Sequence, residues 1–174
     1  MKTNILFAIF ALIFIAGCQP KTEEKKEKEV KQERTVDLEA VKDSISLVMD
    51  NYYKAYNSKD LETYSNLLAE DGLFCGTDPG EFWNKNDVVE MVRQQFSDTT
   101  FNWTFSPEKQ EMKLSSDGRS AIIVNQYMVT ELSPKIPMRE ITHLIKTENK
   151  WLINFTCYNF ITENDNVEKL NKAL

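Results

Sequence analysis

Apolar residues recur at three- and four-residue steps in the first half of the chain beyond residue 36, which is the spacing of amphipathic helices. One long helix is predicted from Asp37 to Asn57, with tyrosines near its end. Asp60 is suited to cap a second, short helix that ends at Asp71-Gly72. These two helices are expected to form a hairpin. A third helix is predicted from a cap at Asn84 or Asn86 to about residue 97.

After the third helix the period changes to two, which indicates strands with one buried face. The alternation begins at Phe101, Trp103 and Phe105, and a short apolar run at 73–75 predicts one earlier strand. Further strands are expected over residues 121–132, 138–146 and 151–161, with a helical tail over 163–174. Helices followed by antiparallel strands predict an α+β domain with the helices packed on one face of the sheet.

The predicted domain, residues 36–174, is of ordinary single-domain size and acidic. It holds 14 Lys and Arg against 22 Asp and Glu, and no basic patch interrupts the acidity. Nucleic acid is therefore excluded as an expected partner, since its binding requires clustered positive charge. For the same reason the domain itself is not expected to adhere to anionic lipid.

Residues 1–17 have the order of parts of a removable export signal. Lys2 precedes an apolar run from Ile5 to Ala16, which is too short to span a bilayer because a membrane helix needs about 20 apolar residues. Cleavage is expected before Cys18. Residues 18–35 are almost devoid of apolar side chains, so they predict a flexible charged tether or, alternatively, a short solvated helix.

The run Ile15-Ala16-Gly17-Cys18 resembles the lipobox of bacterial lipoproteins. The resemblance implies that the thiol of Cys18 is acylated, palmitate being one such group, and that the mature chain begins at this residue. Two or more acyl chains anchor a protein stably to a membrane, whereas one does so only marginally. The expected location is the bacterial cell envelope, at the outer membrane if the cell is Gram-negative.

The stretch from Tyr52 to Phe96 resembles the SnoaL-like branch of the nuclear transport factor 2-like superfamily. The resemblance rests on the phrase Ala55-Tyr56-Asn57-Ser58-Lys59-Asp60-Leu61, on Leu68-Ala69-Glu70-Asp71-Gly72, on Gly76-Thr77-Asp78-Pro79-Gly80-Glu81-Phe82-Trp83 and on Trp151-Leu152-Ile153. It implies a cone-shaped, curved antiparallel sheet with three N-terminal helices packed on it, a cystatin-like architecture. It also implies a small-molecule cavity at the open end of the cone, without specifying a reaction.

The ketosteroid isomerases of this superfamily provide a test of catalytic capacity. Carried over by position, their oxyanion-hole tyrosine falls on Tyr52 and their second oxyanion-hole acid on His143. Their general-base aspartate falls on Gly76, which cannot accept a proton, and Asp78 is expected in the loop outside the cavity. Proton abstraction next to a carbonyl needs both a base and an oxyanion hole, so the resemblance favours a non-catalytic role.

Five residues are candidates for contact with a ligand: Tyr52, Tyr56, Trp83, Arg139 and His143. The tyrosine hydroxyls could bond a ligand or simply complete the core, and Trp83 could cover the cavity or plug a gap between helix and sheet. Arg139 could bind an anionic group with two hydrogen bonds or serve as a solvated cross-strand partner. His143 could act on a ligand or be a hydrogen-bonded wall residue.

Motifs for other chemistry are missing from the sequence. A single histidine excludes histidine-pair metal sites, and no phosphate-binding glycine loop, Cys-x-x-Cys or dinucleotide fingerprint occurs, so neither a metal nor a cofactor is expected. Cys75 and Cys157 could pair in an oxidising compartment or remain free thiols.

The sequence therefore predicts a membrane-anchored lipoprotein whose domain binds a small, largely apolar ligand without catalysis. Two alternatives remain open. One is an isomerase or dehydratase-like enzyme that uses Tyr52 and His143, and the other is a dimeric envelope scaffold whose sheet packs on that of a second copy.

Overall fold

The computed structural model describes residues 36–148 and 150–173. The predicted signal peptide (residues 1–17), the tether (residues 18–35) and Cys18 lie outside these residues. Within the part of the chain that is described, no helix is both long enough and apolar enough to cross a membrane.

Three helices open the domain, as the apolar spacing predicts. They are α1 (Leu38–Asn57), α2 (Leu61–Asn66) and α3 (Lys85–Ser97). Each begins after an Asp or Asn whose side chain accepts hydrogen bonds from backbone N–H groups of the first turn, which those groups would otherwise lack. The capping residues are Asp37, Asp60 and Asn84. The tail forms a short 3₁₀ turn (Asn164–Asn166) and α4 (Val167–Ala173), which confirms its predicted helical character.

Six strands form one sheet in the order β2-β1-β6-β5-β4-β3. Their bounds are β1 (Leu68–Cys75), β2 (Phe82–Trp83), β3 (Lys109–Leu114), β4 (Ser120–Tyr127), β5 (Met138–Lys146) and β6 (Trp151–Phe160). All neighbouring strands are antiparallel except β1 and β6, which run parallel. The predicted α+β architecture with helices on a curved sheet is thus confirmed. The parallel pairing of β1 with β6 differs from the prediction, which had antiparallel strands only.

The second helix is shorter than predicted. It ends at Asn66 rather than at Asp71-Gly72, because the chain enters the sheet at Leu68 instead. The N–H of Ile153 donates to the carbonyl of Leu67 at 2.9 Å, so pairing with β6 takes the place of another helical turn. Residues 68–73 then form an irregular part of β1 in which the pairing register shifts.

Two strand predictions are wrong in extent. The segment 101–105 is not a strand, although its aromatic residues alternate as in one. Its backbone bonds to the end of α1 instead: the N–H of Phe105 donates to the side-chain oxygen of Asn57, and the Asn57 amide donates to the Phe105 carbonyl, both at 2.9 Å. Strand β4 ends at Tyr127, where the prediction continued to residue 132.

The core lies between the helices and one face of the sheet. Ile45 and Met49 of α1 and Ile123, Leu144 and Ile153 of the sheet are among its fully buried side chains. Alternation along the strands directs every second side chain to this inner face and the others to the opposite, outer face. The difference between the two faces decides which of the candidate residues can reach a cavity in the core.

Candidate functional site

A cavity of about 170 Å³ lies at one end of the core, between the helices and the inner face of the sheet. Seven aromatic side chains contribute to its wall: Tyr56, Tyr64, Phe74, Trp83, Trp103, Phe105 and Tyr158. Aliphatic residues of α3 and the polar groups of Gln95, Thr77, Thr156 and Glu81 supply much of the rest. An engineered cavity of roughly 150 Å³ accepts a benzene molecule, so this space suits a ligand of about one ring.

The wall is assembled from distant parts of the sequence. Helix α3 presents Val88, Val92 and Gln95 from one face because these residues are three or four positions apart. The bond pair between Asn57 and Phe105 fixes the segment that brings Phe105 and, two residues earlier, Trp103 to the wall. The cavity thus depends on the irregular segment that the alternation pattern assigns to a strand.

A chain of tyrosine hydroxyls leads from the cavity into the core. The hydroxyl of Tyr158, a wall residue, lies 2.9 Å from that of Tyr52, which in turn lies 3.4 Å from the hydroxyl of Tyr64. Burial raises the pKa of Tyr64 to about 12 and, together with neighbouring tyrosines and Glu140, raises the pKa of Tyr52 and Tyr158 well above the ordinary value. These hydroxyls therefore stay protonated and can donate hydrogen bonds.

Behind these hydroxyls lies the fully buried carboxyl group of Glu140 on β5. One of its oxygens accepts from Tyr53 at 2.6 Å and from Tyr127 at 3.2 Å. The other accepts from Thr142 at 2.8 Å, with the Tyr158 hydroxyl at the limit of hydrogen-bond distance, 3.5 Å. No Lys, Arg or His of the described residues forms an ion pair with it.

Burial raises the pKa of the Glu140 carboxyl, and the hydroxyl donors around it oppose the rise only in part. A carboxyl group with a raised pKa can hold a proton at a pH where an exposed glutamate cannot. Through Tyr158 it lies one side chain away from the cavity. The arrangement can donate a hydrogen bond to a ligand oxygen, and it can also serve only to unite helix α1 with the sheet.

The space beside Gly76 is occupied by a carboxylate. A Cβ atom added at Gly76 would overlap the carboxylate of Glu81 and would lie 2.8 Å from the ring of Trp83. Both side chains line the cavity. Glu81 therefore fills, from the far side of the turn between β1 and β2, the space that a side chain at residue 76 would take.

Three of the five sequence candidates lie at or next to the cavity. Tyr56 and Trp83 form part of its wall, and the Tyr56 hydroxyl donates to Gln95 at 2.8 Å. Tyr52 is only 3% exposed and lies behind the wall, in contact with Tyr158 and Tyr64. A ligand would meet the Tyr52 hydroxyl through those two tyrosines.

His143 does not face Tyr52, contrary to the expectation from the resemblance. Glu140 and Thr142 of the same strand point inward, so alternation turns His143 to the outer face of the sheet. There its Nδ1 lies 2.7 Å from the side-chain oxygen of Asn154. Asn154 is the extra residue of a bulge in β6, and the histidine therefore helps to hold an irregular strand.

Arg139 is also directed away from the cavity. It is exposed, and its guanidinium group donates to Gln126, its register partner on β4, at 3.3 Å. This is the solvated cross-strand arrangement that the sequence left open. Both thiols, of Cys75 and Cys157, are free in the structure, although these residues are register partners on neighbouring strands.

Sequence reasoning missed Glu140, Tyr158, Glu81 and Trp103. For Glu140 a signal was present, because the period of two in β5 places it on the same face as Met138 and Leu144, where an acid is unexpected. For Glu81 and Trp103 no local pattern was available. Their positions depend on a turn and on an irregular segment whose paths are decided by contacts across the fold.

The model of the SnoaL-like domain family matches residues 45–155 of the chain. This range contains all the residues that line the cavity except Thr156 and Tyr158. A search of curated protein sequences finds no match.

Solved structures share the fold at low sequence identity. A nuclear transport factor 2-like protein from Pseudomonas putida superimposes with a TM-score of 0.61 at 11% identity, over 73% of this chain and 91% of that one. A protein with a cystatin-like fold from Caulobacter vibrioides superimposes with a TM-score of 0.59 at 17% identity, over 75% of this chain and 95% of that one. A protein from Novosphingobium aromaticivorans that is named as a candidate scytalone dehydratase superimposes with a TM-score of 0.59 at 12% identity, over 72% of this chain and 88% of that one.

Proposed function

Since the chain belongs to the SnoaL-like domain family of the nuclear transport factor 2-like superfamily, we propose that its domain binds one small, largely apolar molecule without transforming it. The single observation that carries this proposal is the cavity of about 170 Å³ with its aromatic wall. Ligand pockets are typically apolar with a few placed polar groups, which is the composition found here. The volume favours a ligand of one ring and disfavours a four-ring steroid.

The ligand's polar end would meet a small set of hydroxyl and amide groups. Tyr158 and Gln95 are the wall residues that can bond it while keeping their partners, Tyr52 and Tyr56. A neutral hydrogen bond of this kind contributes about 0.5–1.5 kcal/mol, so the apolar contact supplies most of the affinity.

Native mass spectrometry of the purified full-length protein tests this function directly, by revealing a ligand that is carried through purification. Titration with phenol, followed by the fluorescence of Trp83 and Trp103, adds an affinity. Met91→Trp is designed to fill the cavity and should weaken phenol binding about tenfold or more. Arg93→Trp, on the exposed face of the same helix, is the matched control and should leave it unchanged. Equal affinity in both variants would contradict the proposal.

A second candidate is an isomerase or dehydratase-like enzyme, and one observation favours it. The buried Glu140 carboxyl, with its raised pKa, reaches the cavity through Tyr158 and could act as a proton donor. His143 has no part in this version of the enzyme, because its ring lies on the outer face. Turnover that Tyr158→Phe abolishes and His143→Phe leaves intact would replace the binding function by the enzymatic one.

We further propose that Cys18 is lipidated and anchors the domain in the bacterial cell envelope. The support is the short apolar run followed by the lipobox-like tetrapeptide, together with the polar segment that separates Cys18 from the domain.

A further inference from the structure

Glu81 introduces a negative charge into a wall that is mostly aromatic and aliphatic, with a few uncharged polar groups. It is the only carboxylate among the described residues that line the cavity, and none of those residues is Lys, Arg or His. None of the described cationic side chains forms an ion pair with it. The wall therefore carries a formal negative charge that the domain itself does not neutralise.

The position of this carboxylate is built into the turn between β1 and β2. One oxygen of Glu81 accepts the N–H of Asp78 at 2.9 Å, and the backbone N–H of Gly76 donates to the Glu81 carbonyl at 3.1 Å. Because Gly76 has no side chain, the carboxylate can occupy the space beside it. The Cδ atom of Glu81 and the ring of Trp83 lie within 2.8 Å of the same point, where a Cβ of residue 76 would be.

A carboxylate next to an indole ring, within a wall of six further aromatic side chains, favours one class of ligand. Aromatic faces carry negative electrostatic potential and attract organic cations, most strongly when water is excluded. An anion would be repelled by the carboxylate of Glu81, whereas a cation would be attracted by it. The alkyl groups of an organic ammonium ion also satisfy the apolar lining.

We propose that the ligand of the cavity is a small organic ammonium ion, with Glu81 as its counter-ion and the surrounding aromatic side chains as its cage. This inference rests on the proposed binding function and specifies the chemical class of the ligand. The cavity volume restricts the cation to about the size of one ring or one trimethylammonium group with a short substituent.

The test compares choline with its carbon isostere, in which a tert-butyl group replaces the trimethylammonium group. The two probes have nearly the same shape, so a difference in affinity reports the charge. Binding to the full-length protein is measured by calorimetry and by the fluorescence of the two cavity tryptophans. We expect choline to bind about tenfold or more tightly than the isostere.

Substitutions then assign the preference to Glu81. Glu81→Gln keeps an oxygen that can accept from Asp78 and should reduce choline affinity about tenfold while leaving the isostere unaffected. Asp78→Asn removes the same charge from the same turn, outside the cavity wall, and should change neither affinity. Gly76→Ala should also reduce choline affinity, because its methyl group displaces the carboxylate.

The outcomes separate this inference from the function on which it rests. If the isostere binds as tightly as choline, or if Glu81→Gln leaves choline affinity unchanged, Glu81 only stabilises the turn and the cationic ligand is wrong, whereas the binding function stands. If neither probe binds at millimolar concentration, the cationic ligand is wrong, and native mass spectrometry with the phenol titration decides the binding function separately.

Discussion

Glu140 lies in an environment that is unusual for an acidic side chain. Its carboxyl group is fully buried, four hydroxyl groups surround it, and no described cation compensates it. Burying a charge without a cationic partner costs free energy, which is why its pKa is raised. The same property makes the stability of the domain depend on pH.

The first prediction concerns this dependence. The folded state holds a proton on Glu140 at pH values where the unfolded chain has lost it, so stability should fall as pH rises from about 4.5 through the raised pKa. In Glu140→Gln this decline should be absent. Urea unfolding at a series of pH values measures it, and parallel profiles of the two proteins would contradict the raised pKa.

The exposed aspartates provide the control for this measurement. Hydrogen bonds from Thr63 and Ser115, respectively, lower the pKa of Asp60 and Asp117, so the stability that they contribute is present above the ordinary aspartate pKa and is lost as pH falls. Their effect has the opposite sign and lies at lower pH. Asp117→Asn should therefore leave the decline above pH 4.5 unchanged.

The second prediction concerns the partner of Tyr52. Its hydroxyl contacts Tyr158 at 2.9 Å, whereas His143 lies on the other face of the sheet. In double-mutant cycles, Tyr52→Phe and Tyr158→Phe should therefore show a coupling energy of about 0.5–1.5 kcal/mol in unfolding free energy. Tyr52→Phe and His143→Phe should be additive. Coupling in the second cycle and additivity in the first would restore the expected pairing across the cavity.

At the scale of elements, the outer face of the sheet carries a row of three apolar side chains and one histidine. Leu73 of β1, Phe155 of β6, His143 of β5 and Ile122 of β4 are register partners in this order. Leu73 is 44% and Ile122 45% exposed. Contiguous exposed apolar surface of this kind commonly marks a site of association.

The third prediction follows from this row. We expect the protein to form a homodimer through the outer sheet face, and Ile122→Asp should shift it to a monomer because the introduced charge would be buried at the interface. Analytical ultracentrifugation of the full-length protein measures the change. Leu170→Asp on α4, equally exposed but off the sheet, is the control. A protein that is monomeric before substitution rules out the dimer.

At the scale of the whole molecule, the proposed anchor and the folded domain are separate parts of the chain. The fourth prediction is that Cys18→Ser yields an unprocessed or a soluble exported form that is retained less fully in the membrane pellet after a carbonate wash, because the acyl chains are its proposed anchor. Membrane fractionation of the variant and the parent protein measures this. Equal retention of the two in the membrane pellet would show that the lipoprotein assignment is wrong.

Local signals in the sequence were sufficient for the helices and for most of the sheet. Apolar spacing and the caps Asp37, Asp60 and Asn84 determine where α1 and α3 lie and where α2 begins. Alternation determines β5 and β6 almost to the residue. These features depend on residues within a few positions of one another, so they can be predicted from short stretches of sequence.

The site depends on contacts between residues far apart in the chain. Tyr52 and Tyr158, whose hydroxyl groups are in contact, are 106 positions apart in the sequence. Tyr53 and Glu140, which share a hydrogen bond, are 87 positions apart. Asn57 bonds the backbone of Phe105, at the end of a segment that lies outside the sheet. Glu81 reaches the cavity because Gly76 leaves room for it. None of these is visible in a local pattern.

The outcome for His143 shows the same limit most sharply. Side chains alternate along a strand, so a displacement of one residue moves a group from the cavity side to the opposite face. Local patterns along the chain were enough to predict the fold class and most stretches of helix and strand. Which polar side chains meet in the core depends on burial, strand register and the bulge at Asn154, and these follow from contacts between distant segments.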